Sequence, residues 1–382
     1  MRKTILLLMA ANMMLLPAGC WDARDINEKS LITFVMLDRR QDQYVFHVEV
    51  PNLALGNSGG EGSGGSGYEQ YSFVSGAGAT LAEARQNLDY KMDRPLFLGT
   101  VRSIMITEQM ARYGIAEYMY RLKSDDEYRK KVGIVTTSAD PKALLDSKPE
   151  NNISIGYSID NLITSLERDG RKITNTTSEV LESLACGRCF LLPDIGLDGE
   201  DITCTGYTIF HSGKYSGFIP ASEAKGAVWI AGKDPKWNYV VPVDDFEATV
   251  KVDRRSIKMK PYYAHGSLVF DISFKFEAKI MYLSKDVLLN SQKEEQIRQS
   301  LQKLLLKDIS DAVAKSKSVG CDYLGFHDAF RIHYPDELKK MDHWCDEYLA
   351  SQVKISVRTS LEPGGLYDFQ AHGDQKSIDK EF

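Results

Sequence analysis

LITFVMLDRRQDQYVFHVEV, residues 31–50, carries two apolar patterns side by side. Residues 31–37 form a nearly unbroken apolar run and read as a buried strand. Tyr44, Phe46, Val48 and Val50 then alternate with Val45, His47 and Glu49, the period of two that gives a strand one packed face. GNSGGEGSGGSG, residues 56–67, is too poor in side chains to bury anything and reads as a surface loop inserted between strands. The sheet resumes at 71–74, and Thr80 with Glu83 makes a capping box for a helix striped by Leu81, Leu88 and Met92. Strand patterns follow at 101–106 and 132–136, and a helix at 108–122 is broken near Gly114. Asp140 and Pro141 stand where a cap and a first-turn proline are favoured, and helical patterns return at 159–167 and 178–185. Strand and helix alternate, which predicts a mixed α/β domain over residues 20–195.

LDGED, residues 197–201, reads as a boundary. After it, 203–219 is a hairpin turning at Ser212-Gly213, followed by the apolar run 226–230, together a small middle domain over 202–242. A third domain is expected over 243–362. It holds strands at 246–252, 256–260 and 268–283, then a long helix opened by a capping box of Ser291 and Glu294. The helix is striped by Ile297, Leu301, Leu304, Leu305, Ala312 and Val313, and a last alternating strand covers 353–359. Residues 363–382 form a tail. The expected fold class is α+β, three mixed α/β domains with antiparallel-rich sheets and no internal repeat.

The N-terminus has its own pattern. Arg2 and Lys3 precede an apolar run that ends at Leu16, shorter than the roughly 20 residues a membrane helix needs. Pro17, Ala18 and Gly19 then lead to Cys20, so residues 1–19 read as a signal peptide. Small residues before a cysteine are the mark of bacterial lipoproteins, in which the thiol takes a diacylglyceryl group and cleavage leaves Cys20 first. The leucine usual three places before that cysteine stands one place earlier here, as Leu16. A plain export signal with an incidental cysteine is the other reading. Each buried acyl methylene contributes about 0.8 kcal/mol, so two chains hold durably where one holds weakly. Trp21 would either pack on the first domain or sit at headgroup level.

A net charge of −6 and a pI near 5.8 argue against nucleic-acid binding. KSDDEYRKK, residues 123–131, mixes both signs and reads as a solvated segment. Beyond Cys20 the cysteines are Cys186, Cys189, Cys204, Cys321 and Cys345, an odd set that implies a free thiol or an intermolecular bond. Cys186-Gly187-Arg188-Cys189 has thioredoxin-like spacing. It follows a helical pattern rather than a strand, and no second such pair completes a zinc site, so a structural disulfide or buried thiols are expected. Ser58 lies in a G-x-S-x-G match, and residues 60–65 in a G-x-G-x-x-G match, both inside the glycine-rich run and without a strand–turn–helix context. His327, His333 and His343 fall near Asp328, Asp342 and Cys345, but no H-x-x-x-H spacing sets two imidazoles on one helix face. They read as ordinary histidines beside helix ends, and Trp344 as a core aromatic. No coherent catalytic set, cofactor site or metal site is expected.

A series of short motifs runs along the whole chain. Cys20-Trp21-Asp22 is followed by Asp25-Ile26, then by Thr80-Leu81-Ala82-Glu83-Ala84 and by Arg94-Pro95-Leu96-Phe97-Leu98-Gly99. Gly206-Tyr207-Thr208-Ile209-Phe210, Gly217-Phe218-Ile219 and Glu223 to Trp229 come next. Asp322-Tyr323-Leu324-Gly325-Phe326, Arg331, Pro335 and Trp344 close the series. In that order the chain resembles the Ger(x)C lipoproteins, C subunits of spore nutrient-germinant receptors. Thr100 stands where that family usually has histidine, and Leu338 where it often has tryptophan. The resemblance implies three α+β domains, held by lipid on Cys20 to the outer face of the spore inner membrane. It also implies a non-enzymatic role beside a multi-spanning A subunit and a transporter-like B subunit that together sense small nutrients. It brings no catalytic residue, only the lipid-bearing Cys20. The rival expectation is a lipid-anchored solute-binding protein that captures the nutrient in a cleft between two similar lobes; a cell-envelope hydrolase rests on Ser58 alone.

Overall fold

A computed structural model describes residues 28–51, 71–124, 128–129, 131–147, 154–171, 173, 176–285, 287, 289–341 and 343–362. The expectations for residues 1–19, Cys20, Trp21, Ser58 with the loop at 56–67, Asp342 and the tail at 363–382 lie outside them.

The run at 31–37 is two strands rather than one. β1 (Ser30–Leu31) pairs in parallel with β5 (Leu96–Phe97), and β2 (Phe34–Arg40) enters the main sheet. Between them the Ile32 amide donates to the Phe97 carbonyl at 3.2 Å while the Arg102 amide donates to that of Thr33 at 2.8 Å, so the backbone changes partners at this point. β2 turns into β3 (Gln43–Pro51) through Gln41 and Asp42, whose φ values of 46° and 63° give the turn that matches strand twist. β4 (Tyr71–Gly78), β6 (Ser103–Thr107), β7 (Gly133–Thr137), β8 (Phe190–Asp198), β9 (Asp201–His211) and β10 (Lys214–Pro220) complete an eight-stranded sheet in the order β10-β9-β8-β7-β6-β2-β3-β4. Its middle is parallel and its two flanks are antiparallel.

Helices cover both faces. On one lie α1 (Leu81–Asp89), α2 (Glu108–Tyr113) and α3 (Ala116–Ser124). The other carries α4 (Pro141–Asp146) and α5 (Ile155–Arg168). The local signals hold: Thr80 accepts from the Glu83 amide at 3.1 Å, Asp140 from that of Lys142 at 3.1 Å, and the chain breaks at Gly114 with φ 130°. α6 (Thr177–Ala185) leads into β8.

The second sheet has the order β11-β12-β13-β14, with β11 (Lys236–Val243), β12 (Phe246–Ala264), β13 (Ser267–Leu283) and β14 (Gln352–Glu362). The strands expected at 246–252 and 256–260 are one, because a bulge between Arg254 and Ser256 absorbs the irregularity without ending the ladder. The apolar run at 226–230 lies in α7 (Lys225–Ala231), a buried helical turn. α8 (Ser291–Ser318) is capped by Asn290, whose side chain accepts from the Lys293 amide at 2.9 Å, one residue before the expected cap. Ile309 is also fully buried in its stripe, whereas Leu304 is only partly covered. α9 (Phe326–His333), α10 (Pro335–Leu338) and α11 (Trp344–Ala350) then return the chain to β14, which runs parallel to β13.

The separate middle domain over 202–242 is not what the chain builds. The stretch 197–201 is only the turn between β8 and β9, and β9 and β10 extend the first sheet. Phe190, Leu192 and Phe210 face the core beneath α2 and α3, while Leu191, Tyr207, Ile209 and Ile219 join α7, α8 and the second sheet in the C-terminal core. One pair of strands thus serves two cores, and the segment has no interior to itself. The result is a mixed α/β architecture with antiparallel-rich sheets and more than one domain.

Candidate functional site

The motif residues act first on local geometry. A Cβ at Gly76 would come within 2.4 Å of the Ala84 carbonyl and one at Gly78 within 2.5 Å of the Ala84 amide, so two glycines on β4 let α1 lie against the strand. Thr100 ties two neighbours together by donating to the carbonyls of Ile32 and Phe97 at 2.9 and 3.2 Å. Gly226 on α7 touches α8 even more closely, since a Cβ would sit 1.9 Å from the Asp308 carbonyl. Beside it the fully buried Trp229 donates its indole N–H to the Tyr239 hydroxyl at 2.8 Å, which donates to Asp308 at 2.6 Å. The stretch from Glu223 to Trp229 is therefore a helix–helix joint.

Asp322-Tyr323-Leu324-Gly325-Phe326 starts α9 by a different device. Gly325 takes φ 87°, and the Asp322 carboxylate accepts from the amides of Gly325, Phe326 and His327 at 3.1, 3.1 and 2.6 Å. The indole N–H of Trp344 adds a fourth donor at 3.3 Å. Burial pushes the Asp322 carboxyl above its usual range, opposed by the His327 and Phe326 amides and by Trp344. Trp344 is packed by Phe270, Phe330 and the His327 ring, as a core aromatic should be.

Asp322, Tyr323, Leu324, Gly325 and Trp344 wall a cleft of about 840 Å³ at the junction of the first sheet with the C-terminal helices. Cys186, Cys189, His327, Asp328, His343 and Cys345 all line it. His333 does not join them; it bonds the Ala329 carbonyl of its own helix. Among the described residues no group of three or more His, Cys, Asp or Glu side chains could hold a metal ion. Of the structural disulfide or buried thiols expected for Cys186 and Cys189, Cys189 forms a disulfide, with Cys321 132 residues away, whereas Cys186 is an exposed free thiol. Cys186 closes the C-terminal end of α6. Burial pushes the Cys204 thiol up to about 11 and raises that of Cys345. Arg188, between the two cysteines, donates to Asp328 on α9 and to Glu182 on α6, both at 2.7 Å, and so clamps the two halves of the wall. Sequence gave no sign of Arg188 or Cys321 as bridging residues, because their partners lie 140 and 132 positions away. Chemically the cleft is a recess of mixed polar and apolar lining whose principal cation, Arg188, is already shared between carboxylates.

Two family matches run along this architecture. Residues 22–197 match the family described as spore germination protein N-terminal domain. Residues 205–365 match the C-terminal family described as spore germination B3/GerAC like. The chain belongs to the GerAC-like family of spore germination proteins. Among curated relatives of this GerAC-like chain, spore germination protein KC of Bacillus subtilis is 24% identical, with 96% of this chain and 97% of the relative covered. Spore germination protein B3 of the same organism is 23% identical over 90% of this chain and 94% of its own length. The crystal structure of the GerBC protein shares the fold with a TM-score of 0.57 at 17% identity, covering 86% of this chain and 96% of that one. The break between the two matches falls on the β8–β9 turn, so the GerAC-like division crosses a continuous sheet.

Proposed function

We propose that this chain is the lipid-anchored, non-enzymatic C subunit of a spore germinant receptor. A diacylglyceryl group on Cys20 would hold it on the outer face of the spore inner membrane, where it acts with membrane-embedded A and B subunits in nutrient-triggered germination. The observation that carries this is the pair of family matches over 22–197 and 205–365, on the fold of GerBC. No helix of the described residues is long and apolar enough to cross a membrane, which suits attachment through a terminal lipid. A Cys20→Ala strain tests it. The expected outcome is a protein found in the soluble extract and spores that no longer respond to nutrient. A normal response from that strain would refute the proposal.

The cleft of about 840 Å³ supports a second role, direct capture of a small polar nutrient. Its walls come from one edge of the first sheet and from helix ends of the C-terminal part rather than from two similar lobes, which favours the first role. Calorimetry of the full chain with single amino acids and sugars separates them. Saturable micromolar binding would assign capture to this subunit; heats of dilution alone would leave it to its partners.

A further inference from the structure

One face of the second sheet packs on α7, α8, α9 and α11. The other is exposed and strongly patterned. On three successive rungs, Lys260, Asp271 and Lys354 stand side by side, then Lys258, Ser273 and Ser356, then Ser256, Lys275 and Arg358. Lys258, Lys260, Lys275, Lys354 and Arg358 are all exposed. Among the described residues none of the five is in an ion pair, and Asp271 is the one carboxylate on these rungs. The chain as a whole carries −6, so this positive face stands against the general balance. Farther along the same face the charges cancel, with Arg255 bound to Glu277.

We propose that this face binds an anionic phospholipid surface and fixes how the chain lies on its membrane. The inference rests on the proposed function only for the anchor that brings the chain there. A lysine-rich face without an apolar centre has the composition that protein–protein interfaces avoid. It suits a plane of phosphates, to which each lysine or arginine near the surface adds attraction. The serines between the cations are short, so headgroup phosphates can approach the strands. The next rung presents Tyr262, 51% exposed, an amphipathic ring of the kind favoured at headgroup level. The alternative occupant, an acidic protein segment, would need a groove or aromatic pocket that this flat ladder does not offer.

Lysine acylation of the full lipidated chain on nanodiscs tests this, with neutral phosphatidylcholine discs compared against discs containing phosphatidylglycerol. Labelling of Lys258, Lys260, Lys275 and Lys354 should fall about threefold or more on the anionic discs. Lys142 and Lys303, exposed on α4 and α8, should not change. About 0.5 M salt should restore the labelling, since exposed charges are screened. The triple variant Lys258→Gln/Lys275→Gln/Arg358→Gln should return Lys260 and Lys354 to the neutral-disc level; these are solvent-facing positions whose loss leaves the core intact. Equal labelling on both discs, with the chain retained on each, would overturn the proposal and leave the anchor standing. Retention on anionic discs alone would support this face and refute the anchor, and retention on neither would refute both. Protection seen only in native spore membranes would assign the face to an acidic protein and likewise overturn it.

Discussion

His47 on β3 is 7% exposed, with its Nδ1 at 2.6 Å from the Ser75 hydroxyl across the β3–β4 ladder. Burial, helped by nearby Arg40 and opposed by Asp38, lowers its pKa to about 4. The folded protein therefore keeps the ring neutral where the unfolded chain, titrating near its ordinary 6.5, takes up a proton. The sign follows: this contribution is complete above pH 6.5 and is lost as pH falls toward 4, by about 3 kcal/mol in all. Urea unfolding between pH 7.5 and 4.5 should show that slope, and His47→Gln should flatten it; a wild-type midpoint independent of pH would contradict the neutral buried ring. Glu49, two residues on, is a second buried polar side chain with a different role. It is fully buried and accepts from Thr33, from Ser154 and from the amides of Ile155 and Gly156, at 2.6, 2.5, 2.7 and 3.2 Å, the last three at the positive end of α5. Alternation marked both residues as lying in a half-buried strand, but only the tertiary neighbours made one a neutral ring and the other a helix anchor.

At the scale of elements, the caps at Thr80 and Asp140 and the break at Gly114 were legible because each depends on residues within a turn of one another. Close approaches were less so. Gly226 lies in an apolar run, and its meaning appears only where α7 meets the backbone of α8. Gly226→Ala should separate these helices and disturb the chain from Trp229 through Tyr239 to Asp308, at a cost of about 2 kcal/mol or more. Near-ultraviolet circular dichroism and the urea midpoint would register it. An unchanged midpoint would show that the α7–α8 contact is looser than described. The long strand β12 failed to show in sequence for a related reason, since its bulge at Arg254–Ser256 interrupts the period of two without interrupting hydrogen bonding to β13.

Across the whole molecule, the Cys189–Cys321 bridge and the Arg188 clamp join the entry of β8 to the start of α9. Closing 132 residues removes a large loop entropy from the unfolded chain, so Cys321→Ser should lower stability by about 4 kcal/mol. Wild type under strong reductant should fall by a similar amount, read as the shift in urea midpoint. Insensitivity to both changes would show that Cys189 and Cys321 are not bonded. Thiol titration of unfolded, unreduced protein should find Cys186, Cys204 and Cys345 reactive. The sequence by itself determined the alternating strands, the helix caps at Thr80 and Asp140, and the order of motifs that places the chain in its family. All of these are written in neighbouring residues or in linear order. Tertiary structure alone decided that 201–220 completes the first sheet, which cysteine Cys189 joins, and which lysines share an exposed face. Those relations bring together residues far apart in the chain, and no local period encodes the path that makes them neighbours.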